Sequence, residues 1–354
     1  MRLLVTTQAV DLDDPTLGFF HQWLEELATR FDAIEVICLK SGRFDLPKNV
    51  RVHSLGKERG AASRAAYAWR FIRLVWRLRR DYDAVFVHMN EEYVLLFGPI
   101  WRLLGKRVVL WRNHKTGSLA TTIAASLAHT VCYTSPGAFV ATRGNAVQMP
   151  IGIDTSHFAP PPTPAPAGAI LFLGRLDPVK KAEVFIEALG ELARRGVAFH
   201  AGIYGEPTKS SEPYAVALKR SAEPLVASGM LTFHGAVANE ETPAIYGAHA
   251  IYVNLTPSGS FDKTIGEAMA CGCVVVCAND AVREVVSEGL MTRDDDAQDV
   301  ARALERALGL SPAERAHMSH ELCAYTEEHH SLKELIGKLA NELINPLSRS
   351  TIRR

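Results

Sequence analysis

The stretch that decides the fold is residues 256–272, which read TPSGSFDKTIGEAMACG and lie between two apolar runs, residues 250–255 and 274–277. Both runs are short and rich in β-branched and aromatic residues, which is typical of buried parallel strands. The polar segment between them starts with small residues and continues into a helical pattern. This order of strand, loop, helix and strand predicts an α/β unit with its loop at the carboxyl end of a strand.

A loop of this kind points backbone N–H groups and the positive end of a helix dipole at one place, which favours a phosphate ligand. Glu267 falls in the first turn of the predicted helix, where its carboxylate can accept two hydrogen bonds from a ribose diol. The simpler alternative is a helix acid that only complements the dipole.

A second segment, residues 174–181 or GRLDPVKK, follows the predicted strand 169–173. Pro178 suits the first turn of a helix. Arg175 and Lys180 then bring a planar guanidinium and a flexible ammonium to the same edge of the sheet, and a pyrophosphate is the ligand that suits both. As isolated residues, the two cations would equally well be solvated surface groups.

Outward from these segments, strands and helices alternate along the whole chain, except in the proline-rich run PPPTPAPAG at residues 160–168. Prolines cannot join a strand ladder or a helix interior and favour an extended linker. The sequence therefore predicts two Rossmann-like domains with doubly wound parallel sheets that face a cleft. Their bounds are 1–158 and 169–330, with a linker at 159–168 and a helical tail, 331–354, that crosses back to the first domain.

Composition agrees with an ordinary globular protein: the 354 residues are 47% hydrophobic and 22% charged. Residues 1–150 hold 20 Lys and Arg against 13 Asp and Glu, and the remainder holds 19 against 26, so the halves carry +7 and −7. The six cysteines match no zinc spacing and predict buried free thiols. With no apolar run long enough for a membrane span or signal peptide, a cytoplasmic protein is expected.

Several common chemistries are not indicated, because GxGxxG, GxxxxGK[ST], GxSxG and HExxH are absent from the sequence. A dehydrogenase or P-loop enzyme is therefore not expected. The acidic run at residues 294–296 is interpreted as the start of a helix, and no metal ligand is predicted. No nucleic-acid-binding module accompanies the basic residues, so no nucleic-acid partner is predicted.

The two segments resemble motifs of the retaining glycosyltransferases of family 4, which have the GT-B fold and use nucleotide sugars. The family's G-R-L-x-x-x-K-G stretch is similar to residues 174–181, with Lys181 where glycine is usual, and its E-A-M-A-C-G stretch is identical to residues 267–272. Gly235, Tyr246 and residues 152–154 extend the resemblance across the chain.

The resemblance implies a hexosyltransferase that binds a nucleotide diphosphate sugar and needs no metal or other cofactor. Arg175 and Lys180 would hold the donor diphosphate and Glu267 the ribose, and His114 corresponds to the family's active-site histidine. These four are the predicted catalytic residues. Further donor-binding residues are predicted at Gly18, Gly235, Ser260, Phe261, Asp262, Lys263 and Thr264. The first domain would bind the acceptor, with His21, His88 and Asn90 as weaker candidates.

One position departs from the family: Gly259 stands eight residues before Glu267, where the family has a glutamate that binds the donor sugar. Asp262 or Lys263 could supply the missing contact with a sugar hydroxyl. In the predicted mechanism, Arg175, Lys180 and the helix end at Thr264 stabilise the leaving diphosphate. The acceptor attacks from the same face, which retains the anomeric configuration.

A basic helix is predicted at about residues 62–80. Its spacing of three and four places Arg70, Arg73, Arg77 and Arg80 on one face beside Trp69 and Trp76. This face suits an anionic membrane surface that carries a lipid-linked acceptor, and the alternative is a solvated helix face.

Three functions remain open from the sequence. They are a glycosyltransferase of polysaccharide biosynthesis, a sugar-nucleotide epimerase of the same fold, and a noncatalytic sugar-binding relative. The motifs favour transfer, because an epimerase needs acid and base groups around the sugar.

Overall fold

The chain divides into two compact units, residues 1–152 together with the chain end from residue 332, and residues 153–331. The computed structural model describes residues 1–14, 16–60, 62–259 and 261–344. A parallel sheet with flanking helices forms the centre of each unit. The predicted α/β class with two doubly wound parallel sheets is therefore confirmed.

The first unit has a seven-stranded sheet in the order β3-β2-β1-β4-β5-β6-β7. Its strands are β1 Arg2–Val10, β2 Ala33–Ser41, β3 Val50–Ser54, β4 Ala84–His88, β5 Arg107–Trp111, β6 Thr130–Tyr133 and β7 Ala146–Gln148. The helices between them are α1 Phe20–Ala28, α2 Arg64–Leu78, α3 Glu91–Leu103 and α4 Leu119–Leu127. Successive residues of β1 point to opposite faces, so Leu3 and Leu4 lie in separate buried clusters. Because helices cover both faces, this strand is buried from Leu3 to Thr7 and again at Ala9 and Val10.

The second unit has a five-stranded parallel sheet in the order β10-β9-β8-β11-β12. Its strands are β8 Ala169–Leu173, β9 His200–Tyr204, β10 Leu231–Gly235, β11 Ile251–Asn254 and β12 Val274–Cys277. Its helices are α5 Ala182–Arg194, α6 Glu212–Ser221, α7 Glu223–Ala227, α8 Thr242–Gly247, α9 Lys263–Ala270, α10 Ala297–Leu308 and α11 Pro312–His330.

The chain passes from the first unit to the second after Gly152, whereas the sequence predicted a boundary at residue 158. Ile153 forms a parallel bridge with Ser331, and the ring of Phe158 lies 6.2 Å from that of Tyr246, so residues 153–158 pack within the second unit. The proline-rich stretch 159–168 also belongs to the second unit, where Pro161 lies against Gly247. Because of these contacts, residues 153–168 belong to the second unit. The composition of the stretch does not reveal them.

The last helix, α12 Leu332–Ile344, belongs to the first unit, and residues 345–354 of the predicted tail lie outside the described residues. Its buried Leu335 and Leu339 share a core with Trp23 of α1. Position 152 requires glycine for two reasons. Its φ of +75° lies in the left-handed region, and a Cβ atom there would come within 2.4 Å of the Leu335 side chain. The six cysteines are unpaired and mostly buried, as predicted.

Candidate functional site

Three loops of the second unit are tied together at the carboxyl edge of its sheet. The Gly174 N–H donates to the Tyr204 carbonyl at 3.0 Å, and the Gly205 N–H donates to the Gly235 carbonyl at 2.7 Å. Gly205 has φ +137°, and a Cβ atom there would lie 1.9 Å from the Gly174 carbonyl oxygen. Only glycine fits this approach. The loop that begins at Gly174 is thus held in place by its neighbours.

The turn after Arg175 positions the predicted phosphate-binding cations. Asp177 caps a short 3₁₀ helix, Pro178–Lys180, by accepting from the Val179 N–H at 3.1 Å. Lys180 is the last residue of this turn and is partly buried. The exposed Arg175 side chain forms no hydrogen bond or ion pair with any part of the chain that the structure describes. Lys180 is therefore part of a capped turn, whereas the exposed Arg175 guanidinium is available to bind a ligand.

Lys180 reaches across to the loop after β11, where its ammonium forms an ion pair with the Asp262 carboxylate. The Lys180 Nζ atom also lies 3.3 Å from Thr256 Oγ1. Both charged side chains are largely buried, at 15% and 12% exposure. The two predicted phosphate-binding segments therefore do meet at one place in the second unit.

The Asp262 carboxylate is held by several further donors. Asn254 Nδ2 and Thr256 Oγ1 donate to Oδ2 at 3.1 and 3.0 Å, and the Thr264 hydroxyl donates to Oδ1 at 3.0 Å. As the N-cap of α9, Asp262 also accepts from the Thr264 N–H. Burial alone raises the pKa of Asp262, but the Lys180 ammonium and these donors outweigh burial and lower the pKa to about 2.

Glu267 lies one turn into α9 and is almost fully buried. The Tyr246 hydroxyl donates to its Oε2 atom at 3.1 Å. Burial raises the pKa of Glu267, while the Lys263 ammonium four residues earlier and the Tyr246 hydroxyl act in the opposite direction. Burial lowers the pKa of Lys263, and Glu267 and Asp154 oppose that shift. Glu267 is thus an oriented acceptor within a compact group of charges.

The other predicted donor-binding residues differ in their surroundings. Thr264 accepts from the Tyr252 hydroxyl at 2.7 Å, and Gly235 ends β10 beside Glu206 at φ +78°. Phe261 is buried edge-on against His330, with ring centroids 5.0 Å apart, so its ring packs within the unit. Ser260 lies outside the described residues.

In the first unit, His114 is an exposed residue of the loop after β5. Its carbonyl accepts from the Phe139 N–H at 2.8 Å. Burial lowers the pKa of His114, the Arg112 guanidinium lowers it further, and Glu91 opposes both. Arg112 and Glu91 themselves form an ion pair at 2.7 Å. The imidazole is therefore biased toward its neutral form at an accessible position.

The three weaker acceptor candidates are more enclosed. His88 is buried, with its Nδ1 atom 3.1 Å from Thr7 Oγ1 and its ring stacked 4.1 Å from that of Phe20. Burial lowers the pKa of His88 to about 3. His21 is also buried, and its Nε2 atom accepts from the Asp45 N–H at 3.1 Å. The Oδ1 atom of Asn90 is buried and has no hydrogen-bond partner within the described ranges.

Gly18 lies in the turn before α1, and its N–H donates to the Asp14 carbonyl at 2.9 Å. A Cβ atom at this position would come within 2.9 Å of the Asp14 and Leu12 carbonyl oxygens. The turn itself therefore requires glycine, whatever ligand the loop binds.

The basic helix is α2, and its outer face combines cations with large apolar side chains. Trp69 and Trp76 are 60% and 50% exposed, and Arg73 stacks over Trp69 at 5.3 Å. Arg70, Arg73 and Arg77 are exposed, and Arg70 also donates to the Leu55 carbonyl at 2.8 Å. Arg80 is exposed too, but α2 ends at Leu78, so Arg80 lies beyond the helix on which it was predicted. No helix in the described part of the chain is long and apolar enough to cross a membrane.

Sequence reasoning missed Asn254, Thr256 and Gly205. Asn254 and Thr256 interrupt the end of an apolar strand, and such polar residues at a strand's carboxyl end are a signal that could have found them. Across residues 1–14, 16–60, 62–259 and 261–344, no cluster of three or more His, Cys, Asp or Glu side chains is placed to hold a metal ion.

The chain is similar in part to known glycosyltransferases, and the match to a family model lies within the second unit. Residues 167–309 match the family model described as Glycosyl transferases group 1. A D-inositol 3-phosphate glycosyltransferase of Nocardia farcinica is 33% identical over 40% of this chain and 32% of its own length. The corresponding enzyme of Kineococcus radiotolerans is 28% identical over 39% of this chain and 35% of its own length. The chain thus spans about a third of the length of these curated relatives.

Solved structures match nearly the whole chain. Anabaena HepE in complex with UDP and glucose superimposes with a TM-score of 0.76 and 17% identity, covering 97% of this chain and 99% of that one. A sucrose-phosphate synthase from Thermosynechococcus elongatus gives a TM-score of 0.73 and 16% identity, covering 96% and 98%. These matches establish the fold, and the predicted GT-B fold is confirmed.

Proposed function

We propose that this protein is a retaining glycosyltransferase of family 4. It transfers a sugar from a nucleotide diphosphate sugar to a glycan, a lipid-linked acceptor or a small molecule. The observation that carries the proposal is the meeting of Lys180 with the loop before α9, beside the oriented Glu267, within the segment that matches Glycosyl transferases group 1. The UDP complexes of the structurally similar HepE make a uridine nucleotide the first donor to test.

The donor would bind at the carboxyl edge of the second sheet. Arg175 and Lys180 would bind the diphosphate, and Glu267 would accept hydrogen bonds from the ribose. Gly235, Phe261, Lys263 and Thr264 would contact the remainder of the donor, and Ser260 stays a predicted donor ligand. As the glycosidic bond breaks, the two cations and the amino end of α9 stabilise the charge that grows on the leaving diphosphate.

Since these cations can supply the charge that a divalent ion supplies elsewhere, we propose that transfer needs no metal or other cofactor. We expect full activity in excess chelator. Loss of activity on chelation, restored by magnesium or manganese, would contradict this part of the proposal.

In the first unit we assign His114 and Gly18 to the reaction, and His21, His88 and Asn90 to the acceptor side. His114 is the best supported of these, because it is accessible and its pKa is lowered. The enclosed positions of His88 and His21 favour a role in shaping the unit around the acceptor.

The deciding experiment measures nucleotide diphosphate release from UDP-glucose, GDP-mannose and ADP-glucose. Acceptors include D-inositol 3-phosphate, which the names of the matched glycosyltransferases suggest, and glucose 6-phosphate as a second sugar phosphate. Release that depends on an acceptor and yields a glycoside of unchanged anomeric configuration supports the proposal. An isomerised sugar nucleotide would indicate an epimerase, and binding without turnover a noncatalytic relative.

We further propose that the protein is cytoplasmic and that the outer face of α2 brings it to an anionic membrane surface. Exposed Trp and Arg side chains together suit an interface with anionic lipids. Replacing Arg70, Arg73, Arg77 and Arg80 with Gln should weaken binding to phosphatidylglycerol vesicles. Replacing Arg194, Arg283, Arg293 and Arg302, which are exposed in the second unit, is the matched control. Equal binding by both variants would reject the proposal.

A further inference from the structure

In the structure, the Lys180 ammonium is paired with the Asp262 carboxylate. The proposed function requires the same ammonium to bind the diphosphate of the donor. Lys180 is the anchored cation of the proposed diphosphate site, and its ammonium contacts Asp262 and Thr256. A diphosphate oxygen that binds Lys180 must therefore share the ammonium with a resident negative charge or replace it.

The protein holds this carboxylate firmly. Asn254, Thr256 and Thr264 donate to its two oxygens from three separate side chains, in addition to the N-cap bond with α9. Because Asp262 is only 12% exposed, water screens its charge weakly. A carboxylate and a diphosphate that face one ammonium repel each other, and this repulsion opposes binding.

We propose that Asp262 is a built-in competitor of the nucleotide diphosphate, which holds Lys180 in the empty site and speeds release of the product. This inference rests on the proposed function of the same site. It assigns Asp262 a role different from the sugar contact expected from the sequence, since protein donors already occupy both carboxylate oxygens.

The test measures the affinity of UDP, GDP and ADP by titration calorimetry at low salt. The substitution Asp262→Asn removes the charge and keeps a residue that caps helices equally well. We expect the preferred nucleotide to bind at least tenfold more tightly, which corresponds to about 1.4 kcal/mol. The control Asp295→Asn, at an exposed carboxylate before α10, should change affinity less than twofold.

A double-mutant cycle tests whether the competition acts through Lys180. In a Lys180→Met background, Asp262→Asn should improve affinity less than threefold. A tenfold gain in affinity in this background as well would show that the carboxylate acts by repulsion alone and does not compete for Lys180, which would overturn the proposal.

Thermal unfolding supplies a second measurement. Without ligand, Asp262→Asn should unfold at a lower temperature, because it leaves the buried Lys180 unpaired. Saturating nucleotide should then raise its unfolding temperature more than that of the wild type. If the wild type binds a nucleotide and Asp262→Asn binds it no better, the competitor role is refuted and the donor site stands. If neither protein binds any of the three, both proposals fail.

Discussion

The two units end their central strands in opposite chemical environments. In the second unit, the loops after β8 and β11 carry a buried ion pair, Lys180 and Asp262, within a hydrogen-bonded network. In the first unit, β4 ends in the buried His88, which contacts Thr7 of the neighbouring β1 and whose ring packs against Phe20. A similar parallel-sheet scaffold therefore carries an ion pair between two central loops in the second unit and a neutral histidine at the end of a central strand in the first, where the Arg112–Glu91 ion pair lies beyond β5.

This difference separates two ways of burying a titratable group. Asp262 is charged because a cation and several donors compensate for lost hydration, whereas His88 has one hydroxyl partner and its pKa falls to about 3. Charged ligands of the first unit must therefore rely on accessible groups such as His114. The difference also indicates which substitutions should affect catalysis and which should affect stability.

The largest effect is expected from removing the cations of the second unit. Lys180→Ala and Arg175→Ala should each lower kcat by about 100- to 1000-fold, or about 2.7–4 kcal/mol of transition-state stabilisation. The measurement is steady-state nucleotide release at saturating donor.

Arg194→Ala, at an exposed arginine of the same unit, is the control and should remain active. Near-native turnover in both the Lys180 and the Arg175 variants would contradict the assignment of the diphosphate site. The contrast between the two edges would then have no catalytic meaning.

A smaller effect is expected from removing the neutral Tyr246 hydroxyl that donates to the Glu267 carboxylate. Tyr246→Phe removes the hydroxyl that donates to Glu267, and hydrogen bonds to charged groups contribute about 1.5–3 kcal/mol. We expect a loss of that size in the free energy of unfolding from urea titrations, together with weaker nucleotide binding.

Tyr252→Phe provides the comparison, because the Tyr252 hydroxyl donates to the Thr264 hydroxyl and accepts from Asn254 Nδ2, and both partners are neutral. Its cost should lie near 0.5–1.5 kcal/mol for each neutral hydrogen bond. Equal costs for the two substitutions would show that the charge of Glu267 does not strengthen its hydrogen bond.

We expect the buried, neutral His88 to make the folded protein less stable in acid. His88 has a pKa of about 3 in the folded chain against 6.5 ordinarily, so between these values only the unfolded chain takes up this proton. The stabilisation is complete above pH 6.5 and is lost as the pH falls toward 3. Lowering the pH from 7.5 to 5.5 should cost about 1.4 kcal/mol.

His88→Leu should remove this part of the pH dependence, while the other histidines continue to contribute. Urea titrations at the two pH values, followed by tryptophan fluorescence, measure the difference. An unchanged dependence in the variant would show that His88 is not the source.

Much of the second unit could be predicted because its signals are local. The strand-loop-helix order of residues 250–277 and the Pro178 turn specify elements whose ends must lie at one sheet edge. The meeting of Lys180 with that edge was therefore foreseeable, but its pairing with Asp262 was not. The side chain of Asp262 is oriented by Asn254 and Thr256, whose positions depend on the end of β11.

Non-local packing limited the rest of the prediction. Proline composition indicated a linker at 159–168, yet the chain passes from the first unit to the second after Gly152, where Gly152 packs against Leu335 and Ile153 bridges to Ser331. The sequence indicated His88 as an acceptor-side candidate but could not show the aromatic rings that enclose it.

The smallest expected effect concerns the backbone beneath the charged edge. Lys181 adopts the left-handed conformation, with φ 58° and ψ 37°, directly before α5. A side chain in this conformation costs about 1–2 kcal/mol, whereas glycine adopts it freely but loses about 0.5–1 kcal/mol of chain entropy on folding. Lys181→Gly should therefore raise the free energy of unfolding by about 0.5–1 kcal/mol. Lys181→Ala removes the same charge and keeps the strain, so the difference between the two variants isolates the backbone. If Lys181→Gly is no more stable than Lys181→Ala in urea, the loop that carries Lys180 is not strained at this residue.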